Sequence, residues 1–425
     1  MRKSVPLPAE ERLHGLVSVL DFVRTHGSST RPKLARATGL SRAVVTQRVG
    51  ELVDYGLLAE GELGPSTGGR APRTVHFRAD AGQLLVADLG ATSVDVAVAD
   101  LAGSILVHLQ EPCDIASGPE SILAHIDELF QQCLASVEEM PGELWGIGIG
   151  LPGPVEFESG RPIAPPIMPG WDRYPVRERF ADYEVPIWVD NDVNIMALGE
   201  LRAGIARGWD NVIFVKIGTG IGAGIIVKGK LHRGAKGCAG DIGHIQVSEG
   251  DTAVVCRCGN IGCLEAVAGG AALGRDAEAL ALEGRSEFLA ALLEEKGSLQ
   301  AADVARAATH GDAASVELIT NAGRVVGLVL AGIVSFFNPS LTVIGGGVAG
   351  AGDLLLATIR ESVYRRSLPL ATRDLVLQRS TLGELVGVIG AAAMVTDELF
   401  APNRLVHWLA AGAPSSDAHA IAAVD

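Results

Sequence analysis

A run of soft metal ligands between residues 237 and 265 is the part of this sequence that points most directly to chemistry. One imidazole and three thiols fall there, two of the thiols spaced as Cys-x-Cys; they are His244, Cys256, Cys258 and Cys263. Four such ligands are the number that a closed tetrahedral zinc site needs, and the surrounding glycines suit a tight metal loop. The alternative is a group of ordinary buried cysteines beside a surface histidine. We expect a structural Zn²⁺ that also fixes the bracketing carboxylates of Asp241 and Glu265 on short backbone tethers.

Asn191 and Asp192 lie at the end of a predicted strand, residues 185–189. Ligand crevices in open α/β sheets form beyond the carboxyl ends of strands. We therefore expect Asp192 to be able to take a proton from a sugar hydroxyl as a general base, with Asn191 bonding a neighbouring hydroxyl. The alternative is an Asx turn that caps a helix, and the two roles can coexist. The rigid turn that contains Gly153 is expected to close on the same crevice.

Two strand–turn–strand units with similar patterns carry glycine-rich turns. Their notable residues are Asp88, Gly90 and Thr92 in the first turn and Gly218, Thr219 and Gly220 in the second. Because glycine has no Cβ, such turns can bring backbone N–H groups close to a phosphate. Glycine-rich hairpins are also common without any ligand, but a third such turn at Gly345 strengthens the case. The pattern predicts one structural unit used twice, with phosphate-binding turns.

Three segments near the start of the chain have helical apolar periodicity. The second is expected to be capped by the hydroxyl of Thr30, and the third, residues 42–55, by Ser41. Two helices joined by a short turn containing Gly39 form a helix-turn-helix, whose second helix presents its N-terminal residues to the major groove. The residues expected to face outward from that helix are Ser41, Arg42, Thr46, Gln47 and Arg48.

Two short strands, at residues 56–60 and 74–78, are predicted on either side of a Gly- and Pro-rich loop. This arrangement indicates a wing. Arg70 in that loop is expected to lie in a minor groove, where narrow width concentrates negative potential. The alternative for the whole head is a small module that binds protein.

The charge is unevenly spread, which indicates where a polyanion would bind. The net charge is −15, yet residues 1–80 hold twelve Lys and Arg against eight Asp and Glu, and the rest of the chain holds 23 against 42. A basic head on an acidic body suggests that only the head meets double-stranded DNA.

Cysteine use and hydropathy favour the cytoplasm. Six cysteines in 425 residues form no disulfide framework, and those outside the cluster, Cys113, Cys133 and Cys238, are expected to be buried thiols. No signal peptide is visible at the start. The longest apolar run, residues 325–337, is shorter than the roughly 20 residues that a membrane-spanning helix needs, and we expect a buried core helix. Disorder is expected from Ala413 onwards.

The order of these motifs resembles that of the ROK family, which joins repressors, open reading frames and sugar kinases. The matching motifs are Asp-x-Gly-x-Thr, Gly-x-Pro-Gly, Asn-Asp-x-Asn, Gly-Thr-Gly-x-Gly, Gly-x-x-Gly-His and Cys-x-Cys-Gly-x-x-Gly-Cys-Leu-Glu. The resemblance covers residues 82 to 400 or so. It implies an α/β fold with a two-lobed actin/hexokinase-like body, here behind a winged helix-turn-helix that the kinases of the family lack.

The resemblance also implies roles for particular residues. It places zinc on His244, Cys256, Cys258 and Cys263, and a sugar on Asn191, Asp192, Asp241, His244 and Glu265, with Gly153 in the adjoining turn. One ring nitrogen of His244 can bind metal while the other donates a hydrogen bond to the sugar. Asp192 matches the catalytic base of the kinases.

Two departures from the family pattern bear on ATP use. The first phosphate turn reads Gly90-Ala91-Thr92-Ser93, where the kinases favour Gly-Gly-Thr-Lys, so it gains a Cβ and loses a cation. Asp241 is one methylene shorter than the usual Glu, so its sugar contact must shift or pass through water. These changes weigh against ATP use more than against sugar binding.

The resulting prediction is a sugar-responsive transcriptional regulator, a repressor rather than an activator, that binds a palindromic operator as a homodimer or homotetramer. The first alternative is a bifunctional protein that also phosphorylates its sugar with ATP and Mg²⁺, using Asp192. The second is a regulator controlled by a partner protein.

The predicted domains are a DNA-binding head at residues 1–80 and a ROK domain at 81–425. Within the latter we expect a small lobe at about 81–193, a larger zinc-containing lobe at about 194–382, a C-terminal helix at 383–402 and a tail at 403–425.

Overall fold

The structure, a computed structural model, describes residues 10–63, 72–137, 142–250, 254–411 and 414–423. Its first part, the head, is three helices against a small antiparallel sheet of order β1-β3-β2. These elements are α1 Glu10–His26, β1 Ser29–Thr30, α2 Arg31–Thr38, α3 Arg42–Asp54, β2 Leu58–Leu63 and β3 Arg73–Phe77. Apolar side chains from all three helices, including Leu20, Leu34 and Val49, are fully buried together.

The turn between α2 and α3 follows from its residue types. Gly39 ends α2 with φ 72°, a left-handed conformation that glycine adopts without a steric penalty. Ser41 caps α3 as expected, because its hydroxyl accepts a hydrogen bond from the backbone N–H of Val44 at 3.3 Å. The capping role expected of Thr30 is wrong: the residue precedes α2 in extended conformation, but its side chain makes no capping hydrogen bond.

The small lobe is a mixed five-stranded sheet of order β10-β7-β4-β5-β6, with helix α4 packed on β5 and β6. Its elements are β4 Gly82–Leu89, β5 Ser93–Asp100, β6 Ile105–Pro112, α4 Pro119–Ser136, β7 Glu143–Leu151, β8 Val155–Glu156, β9 Arg161–Pro162, α5 Val176–Arg179 and β10 Ile187–Asn191. The central strands are buried on both faces, which is why they read as continuous apolar runs.

The large lobe begins after α6 Asp192–Ala203 and repeats the same sheet plan. Its strands and helices are β11 Val212–Ile217, β12 Ile221–Val227, β13 Lys230–Leu231, α7 Leu264–Ala268, α8 Gly270–Leu282, α9 Glu287–Lys296, α10 Ala301–Thr309, α11 Ala313–Phe337, β14 Leu341–Gly345, α12 Asp353–Arg366, α13 Pro369–Thr372 and β15 Val376–Arg379. In each lobe a hairpin is extended by an antiparallel strand on one side and two parallel strands on the other. The predicted duplicated unit is confirmed.

Two helices cross between the lobes, α6 and α14 Val386–Leu399. They pack closely, with α6 also against the large-lobe strands β11 and β12 and α14 against β4 and β7. Glycines allow this approach: a Cβ on Gly390 would lie 1.6 Å from the backbone oxygen of Ile195, and one on Gly199 would lie 2.1 Å from that of Val386. Helix α6 starts at Asp192, directly after its cap Asn191. One of the two crossing helices therefore begins at the predicted crevice.

Helix α11 is 25 residues long, with a mean hydropathy of 1.7 in its most apolar window, and by length and composition alone it could cross a bilayer. In the folded chain it packs against α12, α10 and α8, with Val326, Leu330 and Val334 buried. The expected core helix is confirmed, although it is twelve residues longer at its N-terminal end than the apolar run indicates.

The C-terminal segment is ordered and packed, so the expectation of disorder from Ala413 is wrong for the residues that the structure describes. It contains α15 Pro402–Ala411 and α16 Ala418–Ala423. Trp408 is buried, donates its indole N–H to the backbone oxygen of Leu399 at 2.8 Å and packs edge-on against Trp145 of the small lobe. Ile421 is fully buried. The Trp145–Trp408 pair and the buried Ile421 attach this segment to the core. The alanine-rich composition of the segment gave no indication of these contacts.

Candidate metal centre and ligand cleft

The four predicted metal ligands are brought together. One ligand atom from each of His244, Cys256, Cys258 and Cys263 lies within 4.8 Å of every other. Cys258 Sγ and Cys263 Sγ are 3.7 Å apart, as are Cys256 Sγ and His244 Nδ1. Ligands around a tetrahedral metal with bonds of about 2.3 Å would be separated by about 3.8 Å. Three thiols and one imidazole at these separations can hold one tetrahedral metal ion.

Short backbone bridges fix the loop that carries the ligands. Gln246 pairs with Cys263 and Val255 with Ile261 in antiparallel bridges on either side of the cluster. The glycines are required there: Gly262 has φ 72°, and a Cβ on it would lie 1.9 Å from the backbone oxygen of Ser248. The glycine spacing seen in the sequence therefore reflects close backbone packing around the ligands.

Two carboxylates flank the cluster on opposite sides of the His244 ring. Glu265 Oε1 lies 3.8 Å from Nδ1 of His244 and 3.3 Å from Cys256 Sγ, and Asp241 Oδ1 lies 3.8 Å from Nε2. Nδ1 lies beside Cys256 Sγ and Nε2 lies on the side of Asp241, so the two ring nitrogens are available to different partners. Glu265 also reaches the second glycine-rich turn, since a Cβ on Gly220 would lie 2.6 Å from its Oε2.

Asn191 organises the small-lobe side of the cleft. Its side-chain oxygen caps α6 by accepting from the N–H groups of Val193 and Asn194, at 2.9 and 3.2 Å. Its amide nitrogen donates to the backbone oxygen of Gly153 and to Asp192, each at 2.9 Å. The structure thus brings Gly153, Asn191 and Asp192 together, and Asn191 does form the capping arrangement that was the alternative interpretation.

Asp192 is buried and each of its carboxylate oxygens has a partner. Oδ1 accepts from Asn191 and from the backbone N–H of Val193 at 2.9 Å, and Oδ2 accepts from Lys216 Nζ at 2.5 Å. Lys216 lies on β11 of the large lobe. The residue that matches a general base is therefore held in a buried ion pair that joins the two halves of the body.

The two predicted phosphate turns follow the first strand of each hairpin. In each turn the first glycine N–H closes the bend, from Gly90 to the backbone oxygen of Ser93 at 2.8 Å and from Gly218 to that of Gly220 at 2.9 Å. The second turn is braced by α8, because Gly270 N–H donates to the backbone oxygen of Gly218 at 2.7 Å. Asp88 lies on β4 and pairs with Asp95 of β5, whereas Thr92 and Thr219 lie in the two turns between strands.

Asp88 is a buried carboxyl at the base of the first turn. Burial raises its pKa to about 7, Lys216 opposes the rise, and Asp192 and Asp95 add to it. Burial alone would lower the pKa of Lys216, but Asp192 and Asp88 raise it, so the ammonium stays charged. Asp88, Asp192 and Lys216 together are called the buried ionisable cluster; none of the three lines the cavity beside the metal ligands.

A cavity of about 580 Å³ opens beside the metal cluster. Asp241, His244 and Cys258 line one side of it, and Pro154, which follows Gly153, lines another. A space of this size accommodates a small molecule. Asp241 is half-exposed there, with 45 % of its side chain accessible, and is available to a ligand.

Two positions do not match their predicted environments. Arg48 was expected to face outward from α3, but it is buried, and its guanidinium donates to Glu51 at 2.6 Å beside Gly15. Cys238 was expected to be a buried thiol and is exposed, whereas Cys113 and Cys133 are buried. Arg70 lies outside the described residues. On α3 the other four candidates, Ser41, Arg42, Thr46 and Gln47, are exposed.

Sequence reasoning missed two cations that join the lobes, Lys216 and Arg233. Arg233 donates to the buried Asp190 at 2.7 Å and stacks over the ring of Phe157 at 3.7 Å. Both lysine and arginine lie in or beside large-lobe strands and pair with small-lobe acids that neighbour Asn191. Each cation lies next to a glycine-rich or ligand-bearing motif in the sequence, but that position does not show which acid it pairs with.

The fold and the site define a class: a two-lobed α/β protein of the actin/hexokinase-like kind, with a ligand cleft and a possible Cys₃His metal site. The chain belongs to the ROK family, whose model matches residues 85–398. It is 30 % identical to a xylose repressor of Caldicellulosiruptor bescii, over 90 % of this chain and 95 % of that protein.

Two solved structures share this fold. A ROK family transcriptional regulator, described as a homolog of the E. coli MLC protein, is 27 % identical with a TM-score of 0.77, covering 92 % of this chain and 97 % of that one. A ROK family glucokinase from Streptomyces griseus, in complex with glucose and AMPPNP, is 31 % identical with a TM-score of 0.65, covering 74 % and 99 %.

Proposed function

We propose that this protein is a sugar-responsive, DNA-binding transcriptional repressor whose effector sugar binds between the lobes. One observation carries the proposal. The similarity to a xylose repressor and to an MLC-type regulator spans 90 % and 92 % of the chain, more than the body alone, residues 82–423, could supply. The similarity to a glucokinase spans 74 %. The head is therefore part of what this chain shares with regulators.

The head is proposed to bind DNA as a winged helix-turn-helix. Its α3 exposes Arg42, Thr46 and Gln47, side chains that can bond base edges in the major groove. Lys33 and Arg36 are exposed on α2, the helix that crosses the phosphate backbone in this arrangement. Their charges match the excess of Lys and Arg in the first eighty residues.

The effector is proposed to be a small sugar held by carboxylates and an amide from both lobes. Asn191 and Asp192 come from the small-lobe side, while Asp241 and His244 lie on the loop of the metal cluster and Glu265 on α7, directly after it. We assign the metal as Zn²⁺, because three thiolates and an imidazole in tetrahedral geometry suit it. Zinc would hold Asp241 and Glu265 in place, and its four protein ligands would leave no open position for chemistry.

A continuous path of contacts joins this cleft to the head. Helix α6 begins at the sugar-facing residues and carries Arg202 near its other end, where the guanidinium pairs with Asp397 of α14. Asp397 also lies 3.5 Å from Arg24 of α1, and Arg24 stacks over Phe400 at 5.1 Å. Movement of α6 on closure of the cleft would reach the head through Asp397.

The test uses the purified, zinc-loaded full chain and a DNA duplex selected by the protein from a random pool. D-xylose and D-glucose are titrated while operator affinity is followed by fluorescence anisotropy. We expect one sugar to weaken DNA binding by about 5- to 150-fold, the range of typical coupling energies. Tight sugar binding with no change in DNA affinity would exclude the repressor function.

A second function, phosphorylation of the bound sugar, is favoured by one observation. Asp192 lies at the start of α6 beside Asn191, and the body resembles a glucokinase whose structure contains glucose and AMPPNP. The measurement is ATP- and Mg²⁺-dependent phosphorylation of each sugar that binds. Turnover that disappears in Asp192→Asn would assign a bifunctional protein.

Paired heads on a palindromic operator require a dimer or tetramer, since half-sites lie about one DNA turn apart. We propose such an oligomer, acting in the cytoplasm where the DNA is. The oligomeric state is measured by analytical ultracentrifugation of the protein with and without operator.

A further inference from the structure

The buried ionisable cluster contains one cation, Lys216, and two carboxyl groups, Asp88 and Asp192, whose joint role has not yet been considered. Lys216 Nζ is 2.5 Å from Asp192 Oδ2, and the lysine stem packs beneath the second glycine-rich turn, with Cε 3.4 Å from the place of a Cβ on Gly218. Asp88, on β4 just before the first turn, makes no direct ion pair with Lys216, but it is near enough for its charge to raise the pKa of that ammonium. Lys216 therefore contacts the candidate base, Asp192, and packs against the second glycine-rich turn.

Asp88 is the second observation. Asp88 is only 5 % exposed, and its Oδ1 has no hydrogen-bond partner among the described residues. Gly150 and Gly387 make room for this carboxylate, since a Cβ on Gly387 would lie 1.8 Å from its Oδ2. A buried carboxyl with an unused oxygen is either protonated or stabilised by a cation, and Lys216 acts in the second sense because it lowers the pKa of Asp88 against the effect of burial.

Phosphoryl transfer from a nucleotide requires a divalent cation that bridges the phosphates and is held by carboxylates of the site. The buried ionisable cluster does not fit that ion, because an ammonium group already contacts the Asp192 carboxylate that a magnesium ion would need as a ligand at about 2.1 Å. An ammonium group and a divalent metal ion bound to the same buried carboxylate would repel each other strongly.

We propose that Lys216 is a fixed internal cation that takes the place of a divalent metal on Asp192, near Asp88, and that it makes the protein bind sugar without phosphorylating it. Lys216 is a specificity-determining residue in this sense. Of the four acceptor positions on the Asp192 carboxylate, three are occupied, which leaves one to accept a bond from a sugar hydroxyl. The inference rests on the proposed sugar-binding function of the same cleft.

The experiment titrates Mn²⁺ alone into the zinc-loaded protein and follows bound Mn²⁺ by electron paramagnetic resonance. Lys216→Met removes the cation and leaves two buried carboxylates, and Lys230→Met, an exposed lysine of β13, is the matched control. We expect Lys216→Met to bind one Mn²⁺ at least about tenfold more tightly than the wild type or the control, and Lys216→Met/Asp88→Asn to lose that gain.

Two results would overturn the proposal: no gain in Lys216→Met that folds, or saturable Mn²⁺ binding by the wild type that Asp192→Asn abolishes. The wild-type titration decides the matter even if Lys216→Met does not fold. Sugar-dependent release of operator, which tests the proposed function, is measured without Mn²⁺. A failure of one experiment is therefore distinguishable from a failure of the other.

Discussion

At the scale of single residues, His244 is the link between the metal cluster and the cleft. Its Nδ1 faces the thiols and its Nε2 faces Asp241, so a metal on Nδ1 fixes the ring while Nε2 stays available. Coordination also fixes the tautomer, because the proton must then reside on Nε2. The metal would act on sugar binding through the orientation of this ring.

The first residue-scale prediction concerns Cys258. Cys258→Ser should reduce bound zinc from about one equivalent to nearly none, because a serine hydroxyl is a poor zinc ligand and structural zinc sites in peptides contribute about 10–16 kcal/mol. Metal content is measured by mass spectrometry and sugar binding by calorimetry, and we expect sugar affinity to fall as Asp241 and Glu265 lose their support.

Cys238→Ser is the control, since Cys238 is an exposed thiol on the same loop and is not part of the cluster. It should retain zinc; because Cys238 also lines the cavity beside the cluster, bound zinc is the quantity that this control compares. An unchanged sugar response in zinc-free Cys258→Ser would contradict the bracing role.

The metal cluster could be predicted from sequence because its ligands are close along the chain and metal chemistry restricts their types. Lys216 and Arg233 could not be predicted, because each pairs with an acid from the other lobe, 24 and 43 residues away. Whether such a lysine faces solvent or a buried carboxylate depends on how two sheets meet, and no local pattern encodes it.

At the scale of elements, the repeated sheet plan could be predicted from the sequence, because each lobe uses the same hairpin with a glycine-rich turn. The apolar strands and the start of α3 were also readable, since Ser41 is a strong N-cap. The outer face of α3 was only partly readable. Arg48 faces inward because Glu51, one turn later, and Arg12 of α1 form an ion-pair group with it at the helix junction.

The two sides of α3 predict opposite effects of substitution. Gln47→Ala should weaken operator binding by about tenfold or more without changing thermal stability, because an exposed base contact contributes about 1–3 kcal/mol. Arg48→Ala should instead lower the free energy of unfolding by about 1–3 kcal/mol, because a largely buried partner of Glu51 is lost. Anisotropy and chemical denaturation separate the two effects; a purely DNA-binding loss in Arg48→Ala would refute its structural placement.

At the scale of the whole molecule, Asp397 joins three elements that belong to different parts of the chain. The Asp397 carboxylate forms ion pairs with Arg202 of α6 and with Arg24 of α1. Its own helix, α14, packs along α6. The cleft and the head are therefore mechanically continuous through one carboxylate. An equilibrium between two arrangements of α6 is what the sugar would have to bias.

Asp397→Asn should uncouple sugar binding from DNA release. We expect sugar affinity and sugar-free operator affinity to change little, while the effect of sugar on operator affinity falls to about twofold or less, because coupling of 1–3 kcal/mol passes through this contact. The readout is anisotropy with and without saturating sugar. Asp374→Asn is the control, an exposed acid beside Arg373; equal loss of coupling in both variants would argue against the path.

The docking of the head also has a consequence for the order of events during synthesis. Phe77 of the head packs against Phe400, and Arg24 pairs with Asp397, so the head's contact surface on the body is made more than 300 residues after α1. At translation rates of roughly 5–20 residues per second, that interval is on the order of 20 to 70 s. During that time the head is a nascent domain without its docking partner, and any DNA it binds is bound without regulation by sugar.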